Sequence, residues 1–154
     1  VTLQEVAVVP ETTSIPAGSV TLDVENIGPA LAHELVVVRT DLPADGLPTN
    51  EDGSFDEDAE GVEVIGELEE IEPGTSGTLT VDLEPGHYVF LCNVVQEADD
   101  APFSHYQAGM RVDVEVDGAG TVVGSPAPGA SPAPATSPSA VGSPAPVASV
   151  APAA

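Results

Sequence analysis

Four side chains in this sequence could together hold a soft metal ion: His33, Cys92, His105 and Met110. Cys92 is the single cysteine, Met110 the single methionine and His105 one of three histidines. Three of the four lie between Tyr88 and Val116, in YVFLCNVVQEADDAPFSHYQAGMRVDVEV, which reads as a strand, a loop and a second strand. A thiolate, an imidazole and a thioether select copper over hard cations, because polarizable sulfur donors match a polarizable metal. A trigonal site needs a second imidazole, and His33, in ALAHELVVV, is the natural candidate. His87 follows a Pro-Gly turn on the strand face opposite Cys92 and reads as a surface residue.

The elements that must position these residues are strands. Val20, Leu22 and Val24 alternate with Thr21, Asp23 and Glu25, the pattern of a half-buried strand. HELVVVRT, residues 33–40, is nearly continuous in apolar character, as a central strand covered on both faces would be. Further strands are expected over Val1–Pro10, Val62–Leu68, Thr75–Leu83 and Met110–Val116. Another runs from His87 to Cys92 and places Tyr88, Phe90 and Cys92 on one face. Turns are marked by Pro-Ala-Gly at 16–18 and Glu-Pro-Gly at 72–74 and 84–86, where Pro fixes φ and Gly permits positive φ. Seven or eight short strands with little helical pattern predict an all-β sandwich.

The residues around the candidate ligands resemble the cupredoxins, the plastocyanin-like small blue copper proteins. Their G-x-Y-x-F-x-C strand, followed by His and then Gly-Met, is matched by Gly86, Tyr88, Phe90, Cys92, His105, Gly109 and Met110. Their upstream N-x-G…H hairpin is matched by Asn26, Gly28 and His33, with LVVV following. The resemblance covers about residues 1–117 and implies a Greek-key sandwich holding one copper ion. His33, Cys92 and His105 would form the trigonal plane, with His105 nearest the solvent-exposed edge and Met110 as a long axial contact that tunes the potential. Tyr88 and Phe90, on the face of Cys92, would wall the site with apolar surface. The sequence departs from the family in two places. Twelve residues separate Cys92 from His105, so an insertion at about 94–104 is expected to bulge from the metal loop. Glu34 also stands where plastocyanins usually have an Asn that ties the two ligand loops.

Charge bounds the partners. The sequence has 26 acidic residues against 2 basic ones, a net charge of −24, and every acidic residue precedes Gly118. Nucleic acid and anionic membrane surfaces need Lys and Arg for phosphate contacts and are poor partners for this surface. A basic redox protein, or a salt-rich medium that screens self-repulsion, fits this surface; acidity that only confers solubility is the plainer alternative. Leu31, Pro102 and Phe103, with Ala30, would form an apolar rim for docking, and Glu97, Asp99 and Asp100 in the insertion could steer a basic partner. A single cysteine precludes an internal disulfide, so cysteine usage says nothing of compartment. No run approaches the ~18–20 apolar residues of a membrane span, and the start, VTLQEV, reads as already processed.

Two segments read differently from the strands. Residues 41–61, dense in Asp, Glu, Gly and Pro, do not reproduce the ligand spacing of an EF-hand and are expected to be a solvated surface loop. Residues 118–154 hold half of the 16 prolines and no charged residue, as a disordered tether would. The functional expectation is an exported, monomeric, single-copper electron carrier that is not an enzyme, no Ser–His–Asp or paired-carboxylate arrangement standing out. A copper carrier or buffer on the same scaffold is the first alternative. A metal-free Ig-like interaction module on a stalk is the second.

Overall fold

A computed structural model describes residues 1–97 and 101–118. Asp99 and Asp100 of the steering loop, and the tail after Gly118, lie outside them. In chain order the elements are β1 (Thr2–Gln4), β2 (Ala7–Val9), β3 (Ser14–Pro16), β4 (Gly18–Asn26), β5 (His33–Thr40), β6 (Val62–Ile71), β7 (Ser76–Leu83), β8 (Gly86–Leu91), β9 (Val95–Gln96), β10 (Phe103–Ser104), a single helical turn α1 (His105–Ala108) and β11 (Arg111–Asp117). The six long strands, β4 to β8 and β11, fall where apolar alternation and the Pro-Gly turns place them. The strands beyond the expected seven or eight are pieces of two or three residues, too short to leave a period in sequence. Val1–Pro10, expected as one strand, folds back on itself as the antiparallel pair β1–β2.

Two sheets make the sandwich, one in the order β2-β1-β4-β7 and one in the order β3-β11-β8-β5-β6. From β1 to β8 the chain changes sheet five times: between β2 and β3, β3 and β4, β4 and β5, β6 and β7, and β7 and β8. Their inner faces share one core, in which Leu22, Val24, Val81 and Leu83 meet Leu35, Val37, Tyr88, Phe90, Val114 and Val116. Cys92 and Met110 sit in this same core. The Tyr88 hydroxyl donates to the Glu84 carbonyl at 3.0 Å and accepts from the Glu84 amide at 3.1 Å, closing the turn before β8.

β5 is a central strand covered on both faces, as its continuous apolar run requires. Its second cover is the acidic loop, which corrects the expectation of a purely solvated segment. Ala44, Leu47 and Phe55 are buried against Val36, Val38, Val89, Leu91 and Tyr106 in a second core. Acidic residues such as Asp45, Glu51, Asp52 and Glu57 remain exposed, so the loop is amphipathic with no regular period. Burial of a Phe is worth about 1.5–3 kcal/mol, enough to hold such a loop down against the repulsion of exposed carboxylates.

His87 also pins this loop. Its Nδ1 lies 2.8 Å from the Thr40 carbonyl and its Nε2 lies 3.0 Å from Asp113 Oδ1, which in turn accepts from the Ala44 amide at 2.7 Å. The ring is thus half-buried and faces the outer side of the sheet, away from Cys92.

Candidate metal centre

Each candidate ligand is delivered by a short, heavily tied segment. His33 opens β5 after the turn 27–32, and Asn26 organises that turn. Buried at the end of β4, Asn26 donates through Nδ2 to the Leu31 and Ile71 carbonyls at 2.8 Å each and accepts from the Gly28 amide at 2.9 Å. A bulge beside His33 shifts the β5–β6 register, pairing His33 with Ile71 but Leu35 with Leu68, and Glu70 takes a φ of 50° there. Bulges bend a strand locally and re-aim its side chains, here at the end that carries a ligand.

Cys92 directly follows β8, and its amide donates to the Met110 carbonyl at 3.0 Å. Asn93, the next residue, holds the acidic loop. Its Oδ1 accepts from the Phe55 amide at 2.6 Å, and its Nδ2 donates to the Phe55 carbonyl at 3.1 Å and to Glu57 at 3.0 Å. The inserted segment is a hairpin, with Phe103 opposite Gln96 and Ser104 opposite Val95. Ser104 then caps α1: its Oγ accepts from the Gln107 amide at 3.1 Å and donates to the Gly53 carbonyl at 2.7 Å. The turn ends at Gly109, whose φ of 116° favours a residue without Cβ. This geometry brings the Met110 amide back to the His105 carbonyl at 3.0 Å. One backbone circuit therefore joins Cys92, His105 and Met110.

The donors converge. His33 Nδ1 and His105 Nδ1 are 3.1 Å apart, and Cys92 Sγ lies 3.9 Å from the first and 3.4 Å from the second. A point equidistant from the three atoms lies about 2.0 Å from each, in the range of first-row metal–nitrogen bonds of about 2.0–2.1 Å and near the ~2.3 Å of metal–sulfur bonds. His33, Cys92 and His105 each have no exposed surface. Burial keeps both imidazoles below their ordinary pKa, so they are neutral with lone pairs available; His33 further depresses His105. Burial pushes the Cys92 thiol up to about 11. A metal cation placed among the three atoms would offset that cost by stabilising the thiolate. The donor types and their spacing fit copper. The fold and the donor set are cupredoxin-like.

No protein-family model matches the chain, and no curated protein does. It is similar to solved structures of three auracyanins. One is the dithionite-reduced auracyanin of the photosynthetic bacterium Roseiflexus castenholzii, at 25% identity over 69% of this chain and 85% of that one, with a TM-score of 0.48. Auracyanin B is 23% identical over 74% of this chain and 82% of its own, with a TM-score of 0.49. Auracyanin A, described as a "blue" copper protein of the green thermophilic bacterium Chloroflexus aurantiacus, is 16% identical over 76% and 97%, with a TM-score of 0.46.

The cupredoxin-like centre differs from expectation at its edge. His105, expected nearest the solvent, is fully buried. The reason is the inserted hairpin: the Phe103 ring meets His105 edge-on at a centroid distance of 5.6 Å, and Phe103 is itself 40% exposed. The Nε2 atoms of both histidines are buried with no hydrogen-bond partner among the described residues. Of the expected rim, Pro102, Phe103 and Ala30 are exposed and Leu31 is half-buried.

Glu34 ties together the two segments that carry His33 and Cys92. Its amide donates to Cys92 Sγ at 3.4 Å and its carboxylate accepts from the Asn93 amide at 2.8 Å. Burial, with Glu57, Glu67 and Glu69 nearby, raises its pKa to about 6 in spite of the Asn93 bond. Phe90 is buried in the core with Cys92; Tyr88 is too, but four strand residues earlier, about 13 Å along the chain at ~3.3 Å per residue. Glu5 and Asn93 are the positions that sequence reading missed. Glu5 is one acidic residue among 26, and nothing local marks it.

Proposed function

We propose that this chain is a type 1 copper protein that carries single electrons between redox partners. The observation that carries this reading is the convergence of His33 Nδ1, His105 Nδ1 and Cys92 Sγ on a common centre inside the core. Copper would supply a Cu(II)/Cu(I) couple there, and His33, Cys92, His105 and Met110 would hold it. The protein's own part is to hold the donors. The circuit of bonds among Cys92, His105 and Met110, with Asn26 and Glu34 on the His33 side, resists rearrangement when the charge at the centre changes. The Glu34 amide hydrogen bond to sulfur steadies the thiolate, and the apolar enclosure by Phe90 and its neighbours excludes water.

Electrons would enter and leave at the Phe103 edge, the place where an exposed ring touches a ligand histidine. The partner would be a redox protein with a basic surface, drawn by a net charge of −24 and seated on Leu31, Pro102 and Phe103. We read the protein as exported and monomeric, with no catalytic role, its three donor side chains being enclosed in the core. No helix among the described residues is long and apolar enough to cross a membrane.

A copper carrier on the same scaffold is the rival, and the twelve residues between Cys92 and His105 favour it, because a long ligand loop gives copper a way in and out. A metal-free interaction module would leave two histidines and the only cysteine meeting in the core without purpose. Repeated oxidation and reduction of the copper-loaded protein beside a Cu(I) chelator separates the first two. An electron carrier keeps its copper through many cycles. A carrier of copper surrenders it on reduction.

A further inference from the structure

The turn between β1 and β2 packs on both ligand loops, and Glu5 is its working residue. A single carboxylate oxygen, Oε1, accepts from the Ala30 amide at 3.0 Å and from the Leu31 amide at 2.9 Å, two residues before His33. Gly28 leaves the space that this carboxylate fills: a Cβ there would lie 2.6 Å from Glu5 Oε2 and 2.8 Å from Oε1. On the other side, the Val6 carbonyl reaches the Gly109 turn, 3.7 Å from where a Cβ would stand. The turn 27–32 is thus clamped twice. Asn26 binds it from β4 and Glu5 binds it from the first hairpin.

We propose that Glu5 is a positioning residue of the metal centre, holding the Gly28–Leu31 turn so that His33 Nδ1 stays aimed at Cys92 and His105. The inference rests on the metal-binding reading of those three residues. Without the Glu5 acceptor, the Ala30 and Leu31 amides must turn to water, and the turn that leads into His33 loses its outer clamp. Asn26 still fixes the Leu31 carbonyl, so the loop stays folded but samples a wider range. The ordinary pKa of Glu5 is lowered: burial opposes the shift, and the bonds from Leu31 and Ala30 outweigh it, as expected of a carboxylate that is used as an acceptor.

The test compares the full chain with Glu5→Gln, which keeps an acceptor oxygen, and Glu5→Ala, which removes it. In the metal-free proteins, amide hydrogen exchange at Ala30 and Leu31 should rise about tenfold in Glu5→Ala, as loss of a charge-assisted bond predicts, while β4 and β7 amides keep their protection. With Cu(II) added, Glu5→Ala should give up copper to a chelator about tenfold faster than wild type, and Glu5→Gln should restore both readouts. Should Glu5→Ala fail to fold, Glu5→Asp, one methylene too short to reach both amides, serves in its place. Unchanged exchange at Ala30 and Leu31 overturns the proposal, as does unchanged copper retention beside freed amides. A wild type that takes up no copper refutes the metal reading itself, while the exchange result still decides whether Glu5 anchors the loop.

Discussion

The Glu34 carboxylate accepts a hydrogen bond from the Asn93 amide at 2.8 Å, while the Glu34 amide donates to the sulfur of Cys92. Glu34, beside His33, therefore binds the His33 strand to the Cys92 loop by two contacts, one to Cys92 itself and one to the residue after it. Replacing Glu34 by Leu removes the acceptor and leaves the Asn93 amide part-buried and unpaired. We expect a loss of about 1–3 kcal/mol in urea unfolding of the metal-free protein. Glu34→Gln keeps the acceptor and should lose less than half as much. Equal losses in the two variants would show that the hydrogen bond is not what holds the loops together.

Phe55 is the anchor of the acidic loop. It is fully buried in the second core, and Asn93 grips its backbone on both sides. Phe55→Ala should cost about 3–5 kcal/mol, because the cavity lies under a loop whose exposed carboxylates repel one another. A cost under about 1 kcal/mol, the ordinary range for surface substitutions, would mean that the loop is only a solvated cover.

These two residues also show what sequence could reveal. The meeting of His33, Cys92 and His105 was legible because each has a chemical type found almost nowhere else in the chain, and because Cys92 and His105 share one strand–loop–strand unit. β5 was legible because an uninterrupted apolar run admits one environment, and both of its faces are covered. The second cover was hidden. Ala44, Leu47 and Phe55 follow neither a helical nor a strand period, and carboxylates surround them, so composition pointed to solvent. The burial of His105 was hidden for a related reason: it depends on a hairpin whose two strands have only two residues each. Glu5 and Asn93 act through backbone groups far away in sequence, and no local pattern records such bonds.

Phe103 covers His105 and, on the proposed function, would be the exposed end of the electron path. Phe103→Ala removes a 40% exposed ring, so thermal stability should change by no more than about 1 kcal/mol. Copper transfer to an external chelator should nevertheless become several-fold faster, because the edge of His105 opens to solvent. Unaltered transfer with unaltered stability would place the route to the metal elsewhere.

His87 ties three segments through its two ring nitrogens: the end of β5, β11 by way of Asp113, and indirectly the Ala44 amide. His87→Ala should destabilise the fold by about 1–2 kcal/mol, through the loss of two hydrogen bonds of about 0.5–1.5 kcal/mol each. It should leave copper stoichiometry unchanged, since the ring faces away from Cys92. Loss of the metal in this variant would show that the outer face of the sheet, and not only the inner core, governs the centre.

The most direct test of the whole account is a visible absorption titration of the metal-free protein with Cu(II), run beside Cys92→Ser. The account predicts an intense charge-transfer band that saturates at one copper per chain in wild type and is absent from the variant. Copper uptake with no such band would contradict a thiolate ligand, and no uptake would contradict a metal centre at His33, Cys92 and His105.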